Sequence, residues 1–229
     1  MEFYVARLQT AFFMKIIDIS DRTRIAQKIK AIDPQFVSTE PILLPVDNDA
    51  PAEIPALVIE DPSTGFSLQL GRARFDTAFT PEKSKSLVNI ADASKLIQSH
   101  SLTAWEILSK GFSAKSNRLG YIATFVSPIS DPITFILERF IKKGVLSEKT
   151  SSIQFNYLNK FKKGNLQLNQ WVKISGTMPP DVVSPILIVE FDINTVPDLT
   201  LEIRPALVRK FFTIANEMIE ASIAMLQQD

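Results

Sequence analysis

His100 is the chain's one histidine, and with Ser99, Ser101, Asp92 and Glu106 nearby it has the residue types of a hydrolytic triad. A triad also needs a nucleophile on an exposed turn beside oxyanion donors, and no G-x-S-x-G elbow occurs to supply one. A single histidine excludes every two-histidine metal motif, and the absence of cysteine excludes thiolate ligands, disulfides and cysteine nucleophiles. Asp47-Asn48-Asp49 opens like a calcium loop, but Ala52 stands where such a loop needs glycine and Val58 where it needs a bidentate glutamate. The seven glycines are scattered between Gly65 and Gly176 and form neither a phosphate cradle nor a dinucleotide fingerprint. No catalytic residue, metal ligand or cofactor is expected.

Binding chemistry is better represented. From Glu138 to Lys173 eight basic residues stand against two acidic ones, with Phe155, Tyr157, Phe161 and Trp171 interleaved. Cations that meet phosphates, alternating with rings that stack on bases, are what a single-stranded nucleic acid would use. The same alternation along a hairpin would bury some of the rings and leave the lysines to keep an edge soluble. Arg139, Lys160, Lys162, Lys163 and Lys173 are therefore the candidate anion- or partner-binding residues. Opposite in sign, Glu40 to Asp61 carries six acids and no lysine or arginine, so two such surfaces could steer copies of the chain together.

Global composition limits the partners further. The 25 basic and 25 acidic residues cancel, which leaves no overall electrostatic drive toward nucleic acid or an anionic membrane. No window approaches the roughly 18 uncharged apolar residues of a bilayer-spanning helix. Glu2 and Arg7 are out of place for a signal peptide, and a cytoplasmic location is expected.

The elements that must position these residues centre on Ile54 to Phe79. Ala56 to Ile59 and Phe66 to Leu70 flank Glu60-Asp61-Pro62-Ser63-Thr64-Gly65, whose turn residues predict a β-hairpin. Phe66, Leu68 and Leu70 alternate with Ser67, Gln69 and Gly71, and the strand is expected to resume at Phe75 after a bulge at Gly71. Before it, Phe3 to Ile17 reads as a strand, and Ser20 or Asp21 caps a helix carrying Ile25, Ile29 and Ile32. Phe36 to Leu44 is expected to be extended, and the prolines between Pro41 and Pro55 form a stiff acidic loop.

Thr80-Pro81 predicts a helix start, with Leu87, Ile90, Ala91, Ile97, Trp105 and Leu108 on one face and a break near Ser99-His100-Ser101. In the second half, Leu119 to Val126 is a strand, Asp131-Pro132 opens a helix, and Ser152 to Asn159 pairs with Leu166 to Ser175 around Lys160 to Asn165. Pro185 to Ile193 is a further strand, and Arg204-Pro205 opens a closing amphipathic helix.

Each half thus reads β-α-β-β-β-α. Tyr4 echoes Tyr121, Ile19-Ser20-Asp21 echoes Ile129-Ser130-Asp131, and Phe75-Asp76 echoes Phe191-Asp192, at offsets of 117, 110 and 116, which suggests an internal duplication. The stretch Leu68-Gln69-Leu70-Gly71-Arg72-Ala73-Arg74-Phe75, the long helix after it, the strand bearing Tyr121 and the closing helix resemble a sporadically distributed, uncharacterised bacterial protein family of similar length. That family has no established activity, so the resemblance implies a fold and carries no catalytic residue across.

The expectation is an α+β protein of antiparallel sheet covered by long amphipathic helices. Residues 1–116 and 117–229 form two halves sharing one continuous sheet. Its expected role is a non-catalytic binding or assembly module, as a homo-oligomer or with a protein partner. The alternatives are a small-ligand pocket between sheet and long helix, or nucleic-acid binding through the basic segment 138–173.

Overall fold

Strand alternation decides the architecture. In the computed structural model, which describes residues 1–47, 49–81, 90–141, 150–177, 185–198 and 203–228, one side of every long strand except the edge strand 152–163 is apolar and buried. Leu8, Thr10 and Phe12, Phe75 and Phe79, Leu119, Tyr121 and Phe125, and Val189, Phe191 and Ile193 are all on that side. Phe66, Leu68 and Leu70 are at most 2% exposed, as the alternation requires.

The elements are β1 (Tyr4–Met14), α1 (Arg22–Ile32), a 3-10 turn (Pro34–Phe36), β2 (Ile42–Leu43), β3 (Leu57–Asp61), β4 (Phe66–Leu70), β5 (Arg74–Phe79) and α2 (Ile90–Gly111). They continue with β6 (Ser116–Pro128), α3 (Pro132–Phe140), β7 (Ser152–Lys163), β8 (Leu166–Thr177), β9 (Ile186–Thr195) and α4 (Pro205–Gln227). The strands form a single antiparallel sheet in the order β2-β3-β4-β5-β1-β6-β9-β8-β7. The fold is α+β, and β1 and β6 join the two halves at the centre. From that centre outward the strands run β1-β5-β4-β3 on one side and β6-β9-β8-β7 on the other.

All four helices lie on the apolar side. Trp105 of α2 stacks on Phe12 at 4.9 Å, Phe212 of α4 meets Tyr121 edge-on at 5.5 Å, Phe140 of α3 stacks on Phe155 at 5.0 Å, and α1 packs on α2 and β3. No helix among the described residues is long and apolar enough to cross a membrane. The other side of the sheet carries Gln9, Phe13, Arg74, Asp76, Arg118, Thr124, Glu190, Asp192, Trp171 and Lys173, and no described helix covers it.

Several expectations change in detail. Gly71 begins a turn rather than a bulge. Its N–H donates to the Arg74 carbonyl at 2.8 Å, the chain reverses, and β5 pairs back on β4 with Leu70 opposite Phe75. Three carbonyls, of Ala52, Glu53 and Ile54, crowd within 2.9 Å of where a Cβ would stand at Gly71, so only glycine fits. Phe36 closes a 3-10 turn capped by Asp33, and β1 ends at Met14 rather than Ile17.

Neither Ser20 nor Asp21 caps α1 with its side chain. Asp131 does cap α3, accepting the Thr134 N–H at 2.9 Å, and the Thr134 hydrogen bonds hold its carboxyl below the usual range. Helix α2 runs unbroken through Ser99-His100-Ser101, where Ser101 turns its hydroxyl inward and bonds the Ile97 carbonyl at 2.6 Å. Ala91 is exposed rather than on the packed face, and Leu87, like the helix start expected after Thr80-Pro81, lies outside the described residues.

Candidate functional site

Helix α2 is fixed to the sheet by polar contacts as well as apolar ones. Thr10 of β1, Thr77 of β5 and Ser101 form a fully buried triangle of hydroxyls with sides of 2.8–3.0 Å, and Ser101 donates out of it to the Ile97 carbonyl, so no hydroxyl is left without a partner. Two turns earlier Ser94 bonds the Tyr121 hydroxyl at 3.0 Å, and burial pushes that phenol up to about 12. Trp105 Nε1 donates to the Ile203 carbonyl at 3.1 Å. With Ala93, Ile97, Ala104 and Leu108 turned inward, the opposite face of α2 presents Ser99, Leu102, Thr103, Glu106 and Lys110 at helical spacing.

That outward face is the floor of a groove of about 870 Å³, with α1 along one wall and Arg209 of α4 on the other. Helix α1 is held in place by Asp33, whose carboxylate is 1% exposed and receives His100 Nδ1 at 2.8 and 2.9 Å. His100 is therefore a joint between helices. Its ring sits edge-on to Phe36 and Phe66, and its Nε2 is buried with no partner among the described residues.

The groove pairs an apolar strip with positive charge. Ala31, Ile32, Leu102 and Ile107 form the strip, and Ile32 is 59% exposed although its spacing assigns it to the buried stripe of α1. Lys28, Lys95, Lys110 and Arg209 line the walls against a single acid, Glu106. Glu106 binds Lys110 at 2.8 Å and lies 3.9 Å from Arg209, so one carboxylate is shared between two of the four cations. Lys28 stands 5.2 Å over the Phe112 ring, and Gln98 at the groove holds a buried side-chain nitrogen with no bonding partner among the described residues. Such a site can hold an anion with an apolar tail. Among the described residues no three acidic or histidine side chains converge as a metal site would need.

The residues singled out from sequence lie elsewhere, and they divide. Lys160 and Lys162 of β7 and Lys173 of β8 share the uncovered side of the sheet, whereas Lys163 alternates to the other side. Lys160, Lys162 and Lys163 are part of β7 itself, since the hairpin turn is only Gly164-Asn165. Arg139 stands apart from them. Its guanidinium caps the end of α4 at the Met225 and Gln228 carbonyls and covers the Phe135 ring at 5.4 Å. Of the interleaved aromatics, Phe155, Tyr157 and Phe161 alternate toward the helices, and Trp171 alone joins the lysines on the open side, directly opposite Leu158.

The acidic stretch ends in β3 near the opposite edge, where the Asp61 carboxylate accepts from Ser63, Thr64 and Gln35 and is held below the usual carboxylate range, chiefly by the Ser63 hydroxyl. Lys28, Lys95, Lys110 and Arg209 are dispersed through the sequence, and only their helical phase could have grouped them. Comparison with protein-family models, with curated proteins and with solved structures returns no match.

Proposed function

We propose that this protein is a non-catalytic binding module whose groove between α1, α2 and α4 holds a small anionic amphiphile, an alkyl carboxylate or alkyl phosphate. The observation that carries the reading is the groove lining: four cations and one acid around an apolar strip. Its volume of about 870 Å³ lies within the ~300–1,000 Å³ of small-molecule sites. Lys95 and Lys28, which have no carboxylate partner among the described contacts, would meet the charged head, while Ile32, Leu102 and Ile107 would cover the tail. The reading puts the ligand on the outer face of the long helix, and the closely packed contacts of the hydroxyl triangle and Trp105 between helix and sheet support it over a pocket there.

Calorimetric titration with alkyl carboxylates and alkyl phosphates of increasing length tests it, with the matching alcohols as neutral controls. Each buried methylene contributes about 0.8 kcal/mol, so two added methylenes should tighten binding roughly tenfold until the groove is filled. Lys28→Glu with Lys95→Glu should weaken the anions and leave the alcohols unchanged, and Thr103→Trp should block both. Equal binding of alcohols and anions, or full binding by the Thr103→Trp protein, would overturn the assignment.

A further inference from the structure

We infer that two copies of this chain join through their β7 edges, antiparallel and in the register that sets Leu158 opposite Leu158 of the second copy, so that the two sheets become one across a two-fold axis. The two edges of the sheet are built differently. At one end β2 is two residues long and is followed at once by Leu44-Pro45, a short edge of the kind that resists pairing. At the other end β7 is twelve residues long, contains no proline, and has no neighbour on its outer side among the described strands. Lysines protect only its last part. Ser152 to Asn159 is uncharged, and Lys160, Lys162 and Lys163 follow.

Exposed apolar side chains stand at both edges, but those of β2, Ile42 and Leu43, lie on a strand only two residues long. Leu158, Phe161 and Trp171 are 36%, 37% and 48% exposed, and Leu158 faces Trp171 across the β7–β8 ladder. A two-fold contact is self-complementary, so one opposed pair fixes all the others. With Leu158 on the axis, Phe161 falls opposite Phe155 of the second copy, Lys160 opposite Asn156, Lys162 opposite Gln154 and Lys163 opposite Ile153. Every lysine meets an uncharged residue, and both exposed hydrophobics of β7 meet hydrophobics.

Neighbouring registers fail one condition or the other. An axis at Asn156 or Tyr157 leaves Leu158 against Gln154 or Asn156, and an axis at Asn159 or Lys160 sets it against Lys160 or Lys162. In the Leu158 register the two Leu158 and two Trp171 side chains line up as one apolar strip on the open side of the joined sheet. Strand addition at an edge draws its affinity from main-chain hydrogen bonds and its specificity from such opposed side chains.

The chain has no cysteine, which makes a crosslinking test clean. Sedimentation of the full chain should give twice the 25.6 kDa monomer mass, and mild oxidation should convert Leu158→Cys protein to a covalent dimer. Trp171→Cys should not crosslink. With strands about 4.8 Å apart, the two positions 171 are separated by about 14 Å, past the ~7 Å limit for a disulfide. Asn156→Lys sets like charges opposite one another twice per dimer and should weaken association about tenfold, and adding Lys160→Glu should restore it. Both positions are exposed, so circular dichroism of the dissociated variants should match the parent. A chain that stays monomeric at every concentration, a ladder of head-to-tail species without Leu158→Cys crosslinks, or association indifferent to Asn156→Lys would each overturn the inference.

Discussion

Replacing His100 with phenylalanine tests how α1, and with it one wall of the groove, is held to α2. The ring lies with centroids 6.1 and 4.8 Å from Phe36 and Phe66, so a phenyl group fits the space. It cannot donate to Asp33, which would keep only the Gln35 N–H at 3.0 Å as a described partner. Removing the donor to a buried carboxylate costs about 3–5 kcal/mol. About 1–2 kcal/mol of that is returned, because the substitution also removes Nε2, a buried nitrogen that bonds none of the described residues.

The net expectation is a loss of about 2–3 kcal/mol, a large share of the ~5–15 kcal/mol of a typical domain. Urea unfolding followed by tryptophan fluorescence should show it as a lower midpoint at unchanged slope, since Trp105, 1% exposed, reports the seating of α2 on Phe12. Adding Asp33→Asn removes the stranded carboxylate and keeps an acceptor for Gln35, so the double variant should recover about half of the loss. A His100→Phe protein within about 0.5 kcal/mol of the parent, or a double variant no better than the single one, would refute the reading of this pair as the joint between helices.

Two further outcomes follow from the packing of α2 and of the β3–β4 turn. The Tyr121 phenol, raised from its ordinary 10.0 to about 12 by burial, keeps a proton that the unfolded chain gives up. Its contribution is therefore whole below pH 10 and is lost as pH rises from 10 through 12, by about 2–3 kcal/mol in all. Melting temperature should fall across that window in the parent, and the fall should be smaller in Tyr121→Phe, which itself costs about 1 kcal/mol for the bond to Ser94. Gly65 has a φ of 80° and stands where a Cβ would lie 2.2 Å from the Thr80 carbonyl oxygen. Gly65→Ala should cost about 3 kcal/mol or more in a thermal melt, and a parent-like melt would show that the turn yields.

The sheet was legible because period-2 alternation is strict where one side is buried. Phe66, Leu68 and Leu70, or Leu166, Leu168 and Val172, can face only one way. Proline at the first helical position located α3 and α4 for an equally local reason. The groove was not legible, because the outward face of an amphipathic helix reads as solvated surface until a second helix is known to lie beside it. Ile32 shows the ambiguity: the same residue that continues the Ile25–Ile29 stripe lies just past the contact and lines the groove. The hydroxyl triangle escaped for a related reason, since Thr10, Thr77 and Ser101 come from three separate segments and each alone reads as an ordinary polar residue.

Sheet register also discriminates among the echoes between the two halves. Phe75 faces Phe12 across β5 and β1, and Phe191 faces Ala123 across β9 and β6. Equating Phe75 with Phe191 therefore equates Phe12 with Ala123, an offset of 111 between β1 and β6. The irregularities of the central ladder follow the same offset, for Ala6 of β1 and Asn117 of β6 are the residues skipped where the register shifts. Thr10 and Tyr121, also 111 apart, face each other, which is where a two-fold axis exchanging the halves would have to pass. The Ile19-Ser20-Asp21 echo at 110 differs by one residue, which the connection after the strand can absorb. The Tyr4–Tyr121 echo at 117 is six residues out of register. If the halves descend from one β-α-β-β-β-α unit, the equivalence to look for is Thr10 with Tyr121, each a polar side chain on the central ladder bonded to a serine of α2, and not tyrosine with tyrosine.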